Sequence, residues 1–159
     1  MAYAEKTTVP VSQSRDEIER TLNRYGATSF AYATQDRRAI ISFGIVNRRV
    51  RFLLELPDPD AGVYCTYMRG SRQHRREPDV AAKLWEQACR QKWRALALVI
   101  KAKLEAVDAG ITTVEDEFLA HTVLPGGETV GERTAPIIAE AYRVGHVQSD
   151  FLQLGAPAS

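Results

Sequence analysis

Arg49 to Leu56 reads RVRFLLEL, and this alternation constrains the fold more than any other feature. In an extended chain Val50, Phe52, Leu54 and Leu56 share one face, while Arg49, Arg51, Leu53 and Glu55 share the other. Such a segment belongs to a sheet with one buried face. Arg38 to Val46 (RAIISFGIV) precedes it across Asn47-Arg48. Thr28 to Thr34 (TSFAYAT) comes before that, across Gln35-Asp36-Arg37. Turns this short join antiparallel neighbours, so the spacing predicts a three-stranded antiparallel meander. Three strands alone are marginal, so the apolar face needs a cover.

Helices on either side can supply it. Ser14 and Glu17 have capping-box spacing, and Ile18, Leu22 and Tyr25 recur at helical intervals before Gly26. The first helix is expected over 14–25 and is expected to cover the sheet. A long helix is expected from an Asp79 cap to about Asp108, stopped by Gly110. On its wheel Trp85, Ala88, Cys89, Leu96, Val99, Ile100 and Val107 share a broad apolar side, with Trp93 and Leu104 at the margin. Thr112 and Glu115 open a short helix through Leu119. Residues 121–130 read as irregular or hairpin-like. A last helix near 134–143 is expected to point Ile137, Ile138, Ala141 and Tyr142 inward. Together these elements give an α+β fold, expected as one domain over 1–145. A tail over 146–159 follows, in which Phe151, Leu152 and Leu154 could dock.

Charge is distributed unevenly. The chain carries 21 Lys and Arg against 20 Asp and Glu, a formal net charge of +1. Residues 47–103 alone hold thirteen basic and six acidic side chains, whereas 104–159 hold two basic and nine acidic. The neutral total therefore does not exclude a polyanionic partner. Residues 57–78 read as a long loop with Arg69, Arg72, His74, Arg75 and Arg76 beside Tyr64 and Tyr67. These rings could stack on single-stranded bases, with Arg49 and Arg51 extending the surface. On the long helix Lys83, Arg90, Arg94 and Lys101 form one line, expected opposite the apolar side. That line is either a solvated face or a ladder for phosphates. Lys92 and Lys103 fall amid the apolar side. They either snorkel to an edge or pair with Glu115, Asp116 or Glu117.

Motifs for catalysis and cofactors are absent. Leu124-Pro125-Gly126-Gly127-Glu128-Thr129 lacks the GKS or GKT ending of a phosphate-binding loop. His121 lies four residues after Glu117 without a second histidine or cysteine at ligand spacing. Glu115, Asp116 and Glu117 suit the first turn of a helix. No cofactor or metal is expected, and a catalyst built from scattered residues stays open. Cys65 and Cys89 are too few for a disulfide framework. No signal-like segment or apolar run of membrane-spanning length is seen, so an intracellular, reducing location is expected.

Trp93 to Glu132 (WRALALVIKAKLEAVDAGITTVEDEFLAHTVLPGGETVGE) resembles a family of small bacteriophage and prophage proteins. RYGATSFAYA, RAIISFGI and RRVRFLLELP resemble the amino-terminal half of that family. The likeness covers most of residues 1–143 and brings no catalytic or binding residues with it. It implies a phage accessory protein in the cytoplasm of an infected bacterial host. Two functions are expected from residues and resemblance together. One is non-catalytic binding of single- or double-stranded DNA, in replication or recombination, by Lys83, Arg90, Arg94 and Lys101 with Arg72, Arg75 and Arg76. The other is inhibition of a host enzyme or defence complex through protein–protein contact.

Overall fold

The computed structural model describes Ala4 and residues 6–146. Helix α1 (Val11–Arg24) leads into β1 (Thr28–Gln35), β2 (Arg38–Ile45) and β3 (Arg48–Glu55). The three strands form an antiparallel sheet in the order β1-β2-β3. The expected meander is present, with Ile41 opposite Phe52 and Phe43 opposite Val50. A one-residue slip of β3 against β2 would turn Val50 and Phe52 to solvent, so burial of one face fixes this register.

A short helix α2 (Gly62–Cys65), a hairpin of β4 (Thr66–Arg69) and β5 (Arg72–Arg75), and the long helix α3 (Pro78–Asp108) follow. Then come α4 (Val114–Glu117), a 3-10 turn at Leu119–His121, and α5 (Val130–Val144). The expected loop over 57–78 is thus mostly ordered into a helical turn and a two-stranded ribbon.

Ile18 and Leu22 of α1 and Trp93, Leu96, Ile100 and Leu104 of α3 cover the inner sheet face. The cover is therefore shared by α1 and α3, which also pack on each other. Trp93 meets Tyr32 of β1 at 5.5 Å between ring centroids. Phe118 closes the open end, edge-on to Phe43 at 5.8 Å and to Phe52 at 6.2 Å.

Several details differ from the sequence expectations. Helix α1 starts at Val11 behind Pro10 with no side-chain cap. Ser14 lies inside the helix, fully buried, and its Oγ has no protein partner. Helix α3 starts at Pro78 without a side-chain cap, and Asp79 sits in its first turn. Its buried stripe is Cys89, Trp93, Leu96, Ala97, Ile100 and Leu104, so Trp93 and Leu104 are central and Val99 is 46% exposed. The cap of α4 is Thr113, one residue beyond the expected Thr112, and Thr113 Oγ1 accepts from the Asp116 N–H at 3.1 Å. Helix α5 starts four residues earlier than expected, with a complete capping box between Thr129 and Glu132, and runs through Pro136. It buries no side chain: Ile138 is 47% exposed and Tyr142 86%. Of the expected inward face, Ile137 and Ala141 are half-buried and Ile138 and Tyr142 are exposed among the described residues. Phe151, Leu152 and Leu154 lie outside the described residues.

The β2–β3 turn carries strain. Val46 and Asn47 both have positive φ, +47° and +56°, as a type I′ turn requires. Asparagine tolerates this region, but a β-branched residue does not. Val46 is half exposed, so little burial depends on it. Val46→Asn is expected to raise folding stability by about 1 kcal/mol. A urea titration would show this as a higher midpoint at unchanged slope.

Candidate nucleic-acid interface

The β4–β5 ribbon concentrates the basic loop residues. Residues 66–76 contain four arginines and no acidic side chain. Arg69-Gly70-Ser71-Arg72 forms a two-residue turn, and Gly70 takes φ +64°. Glycine at the first central position is the II′ arrangement that suits the twist of a hairpin. Tyr67 lies opposite His74, and Arg69 opposite Arg72, which puts all four on one face of the ribbon. Thr66, Met68, Gln73 and Arg75 share the other face.

The ribbon is held at its open end, where both strands join the rest of the chain. The Arg76 N–H donates to the Cys65 carbonyl at 2.7 Å, and Thr66 Oγ1 donates to the Gly62 carbonyl at 2.8 Å. Gln73 Nε2 donates to Thr66 Oγ1 at 2.9 Å. Trp85 Nε1 of α3 donates to the Pro57 carbonyl at 2.9 Å and fixes the start of the segment. Every side chain of β5 is exposed.

The Tyr67 and His74 rings stack, with centroids 5.5 Å apart and planes 26° from parallel. The Arg76 guanidinium lies 5.4 Å from the Tyr67 centroid. Arg69 and Arg72 face each other across the turn without an ion pair, a like-charge placement that costs stability. An anion bound between them would remove that cost. Rings beside unpaired guanidinium groups are the chemistry that receives phosphates and bases together.

The remaining predicted residues divide. Lys83 and Lys101 are exposed and make no ion pair among the described residues. Arg94 is bound to Glu17 of α1. Arg90 donates to Gln87 Oε1 from Nη2 at 2.8 Å and from Nε at 3.0 Å, with Glu86 at 3.9 Å. The four cations stand about 90° from the centre of the buried stripe at 3.6 residues per turn, along its border rather than opposite it. Helix α1 lies on that border and takes Arg94. Arg72 and Arg75 are exposed on the ribbon, and Arg76 is half-buried. Tyr64 lines a different cleft, beside α3. Arg51 donates to the Gly127 carbonyl at 2.9 Å and pairs with Glu132 at 2.6 Å, so it braces α5. Arg69 joins the interface. Its sequence signal is the glycine turn between two arginines.

The acidic third is partly consumed by internal pairs. Lys103 Nζ binds Glu117 Oε2 at 3.0 Å and the Glu117 carbonyl at 2.9 Å. Pairing, not snorkelling, therefore accounts for Lys103, whereas Lys92 is exposed. Among the described residues no three His, Cys, Asp or Glu side chains gather as a metal site. No described helix is long and apolar enough to cross a membrane.

Protein-family models, curated proteins and solved structures were compared with the chain, and none matches.

His121 stacks on Phe52 at 4.0 Å between centroids. Burial pushes its pKa down, Lys103 pushes the same way, and a backbone hydrogen bond with Arg51 opposes them. Unfolding therefore takes up a proton once the pH drops to the ordinary histidine range. Stability conferred by the neutral ring is intact above about 6.5 and falls as pH drops from there through the lowered folded value. His121→Phe keeps a ring on Phe52. It is expected to flatten the decline in urea midpoint between pH 7 and 5. The Glu132 carboxyl is also held below its usual range, first by the Thr129 backbone N–H, but its effect lies below about pH 4.5.

Proposed function

We propose that the protein is a non-catalytic DNA-binding accessory protein that neutralises phosphates through its β4–β5 ribbon. The observation that carries this is three exposed arginines, Arg69, Arg72 and Arg75, on a pinned ribbon with half-buried Arg76 beside it and no acidic side chain in residues 66–76. The role of these arginines is charge neutralisation and positioning rather than base reading. A place in phage replication or recombination rests on the family resemblance of residues 1–143.

The test is direct. Binding of purified protein to single- and double-stranded oligonucleotides is measured by anisotropy across a salt series. Phosphate contact gives a linear fall of log K with log salt. Absence of binding to either strand form at low salt overturns the proposal.

A further inference from the structure

Helix α3 carries a second surface, separate from the ribbon. At about 100° per residue, Leu84, Ala88, Ala95, Leu98 and Ala102 line up on the side away from its buried stripe. Leu84 is 38% exposed, Val80 and Val99 46% each. The segment before the ribbon rises beside this line, with Val63 70% exposed. Between them lies an open cleft of about 730 Å³. Ala88, Ala95 and Leu98, with one polar side chain, Gln91, form its floor, and Ala61, Val63 and Tyr64 its wall. Small side chains at 88 and 95 keep the floor low enough for an incoming backbone to approach closely.

Charge specifies the occupant. Lys92 borders the cleft, while Lys83 and Lys101 border the other side of the same helical line. All three are exposed and none makes an ion pair among the described residues. Asp58, the acid lining the cleft, is taken by Arg37. Farther along α3, Glu105 is engaged by Tyr25. The surface is thus an apolar groove edged by free ammonium groups. Two copies of the chain meeting here would oppose lysine to lysine. A helix laid into such a groove needs an apolar ridge and carboxylates along its borders. We infer that this groove docks an acidic amphipathic helix of a partner protein, independently of DNA binding by the ribbon.

The probe is a fluorescein-labelled 22-residue peptide with a Leu/Ala face and glutamate borders. Its control has the same apolar face and lysine borders. Anisotropy on the full chain is expected to show the glutamate peptide binding at least tenfold more tightly. Ala95→Arg, an exposed position, is expected to abolish binding at unchanged melting temperature. Lys92→Glu with Lys101→Glu is expected to reverse the preference between peptides. A variant with Arg69, Arg72 and Arg75 all changed to alanine is expected to bind the glutamate peptide like the unmodified chain. Four results would overturn the inference: equal binding of both peptides, binding of neither, loss of peptide binding in the ribbon variant, or sedimentation of the protein alone as a dimer that Ala95→Arg converts to a monomer. The last assigns the groove to a second copy of the chain.

Discussion

Phe118→Ala is expected to remove about 3–5 kcal/mol of folding stability. That is a large part of the roughly 5–15 kcal/mol that holds a domain of this size together. Phe118 is 1% exposed, and its ring stands perpendicular to those of Phe43 and Phe52. Those two rings come from adjacent strands and are fixed by the ladder between β2 and β3. On the other side the Lys103–Glu117 pair holds the α3–α4 connection in place. Neither wall can move in to fill the space, so the truncation leaves a cavity as well as losing buried area. Tyr142→Ala serves as the contrast. At 86% exposure it is expected to change stability by about 0.5 kcal/mol or less. Urea titration followed by the fluorescence of Trp85 and Trp93 measures both. Equal midpoints for the two variants would contradict the core described above.

The ribbon variant Arg69→Ala/Arg72→Ala/Arg75→Ala is expected to lower DNA affinity by roughly a hundredfold at low salt, at about 1 kcal/mol per lost charge-assisted contact. The slope of log K against log salt should become shallower by about 2–3, since each phosphate contact contributes about 0.7 on single strands and 0.9 on duplex. Folding stability is expected to hold or rise slightly, because the Arg69–Arg72 repulsion is relieved. Arg90→Ala/Arg94→Ala should behave in the opposite way. Arg94 is engaged by Glu17 and Arg90 by Gln87, so their loss costs stability and leaves the salt slope nearly unchanged. A shallower slope in that pair, with none in the ribbon variant, would move the contact surface to α3.

The contrast between those two variants shows what could be read from sequence. The meander was legible because Val50, Phe52, Ile41 and Phe43 alternate with polar or small residues, and one wet face leaves that imprint directly. The ribbon has no such imprint. All of β5 and most of β4 are solvated, so TYMR and RQHR show no apolar period, and Gly70 alone marks the turn. The basic line on α3 was legible as a line, but its availability was not. Glu17 reaches Arg94 from 77 residues away, and helical spacing cannot report that. The wheel placed the core arc too far toward Val99 because every apolar residue counted equally. In the structure α1 and α2 choose which of them are covered. Pro136 hid the start of α5, since a proline at that point reads as a boundary rather than an interior residue.

Among the described residues, helix α5 touches the rest of the protein mainly through its first turn. Gly131 lies so close to the 3-10 turn that an added Cβ would sit 2.8 Å from the Ala120 carbonyl, and Arg51 reaches Glu132 from β3. Beyond that turn, among the described residues, the helix has half-buried side chains such as Ile137 and Ala141 but no fully buried one. Its opening is therefore a local event whose free energy is set by that close backbone approach, the Arg51–Glu132 pair and the Val130 N–H bond to the Thr122 carbonyl rather than by the main core. The protein thus has two levels of cooperativity: a sheet-and-helix body that melts as a unit, and an appended helix that can detach and return while that body stays folded.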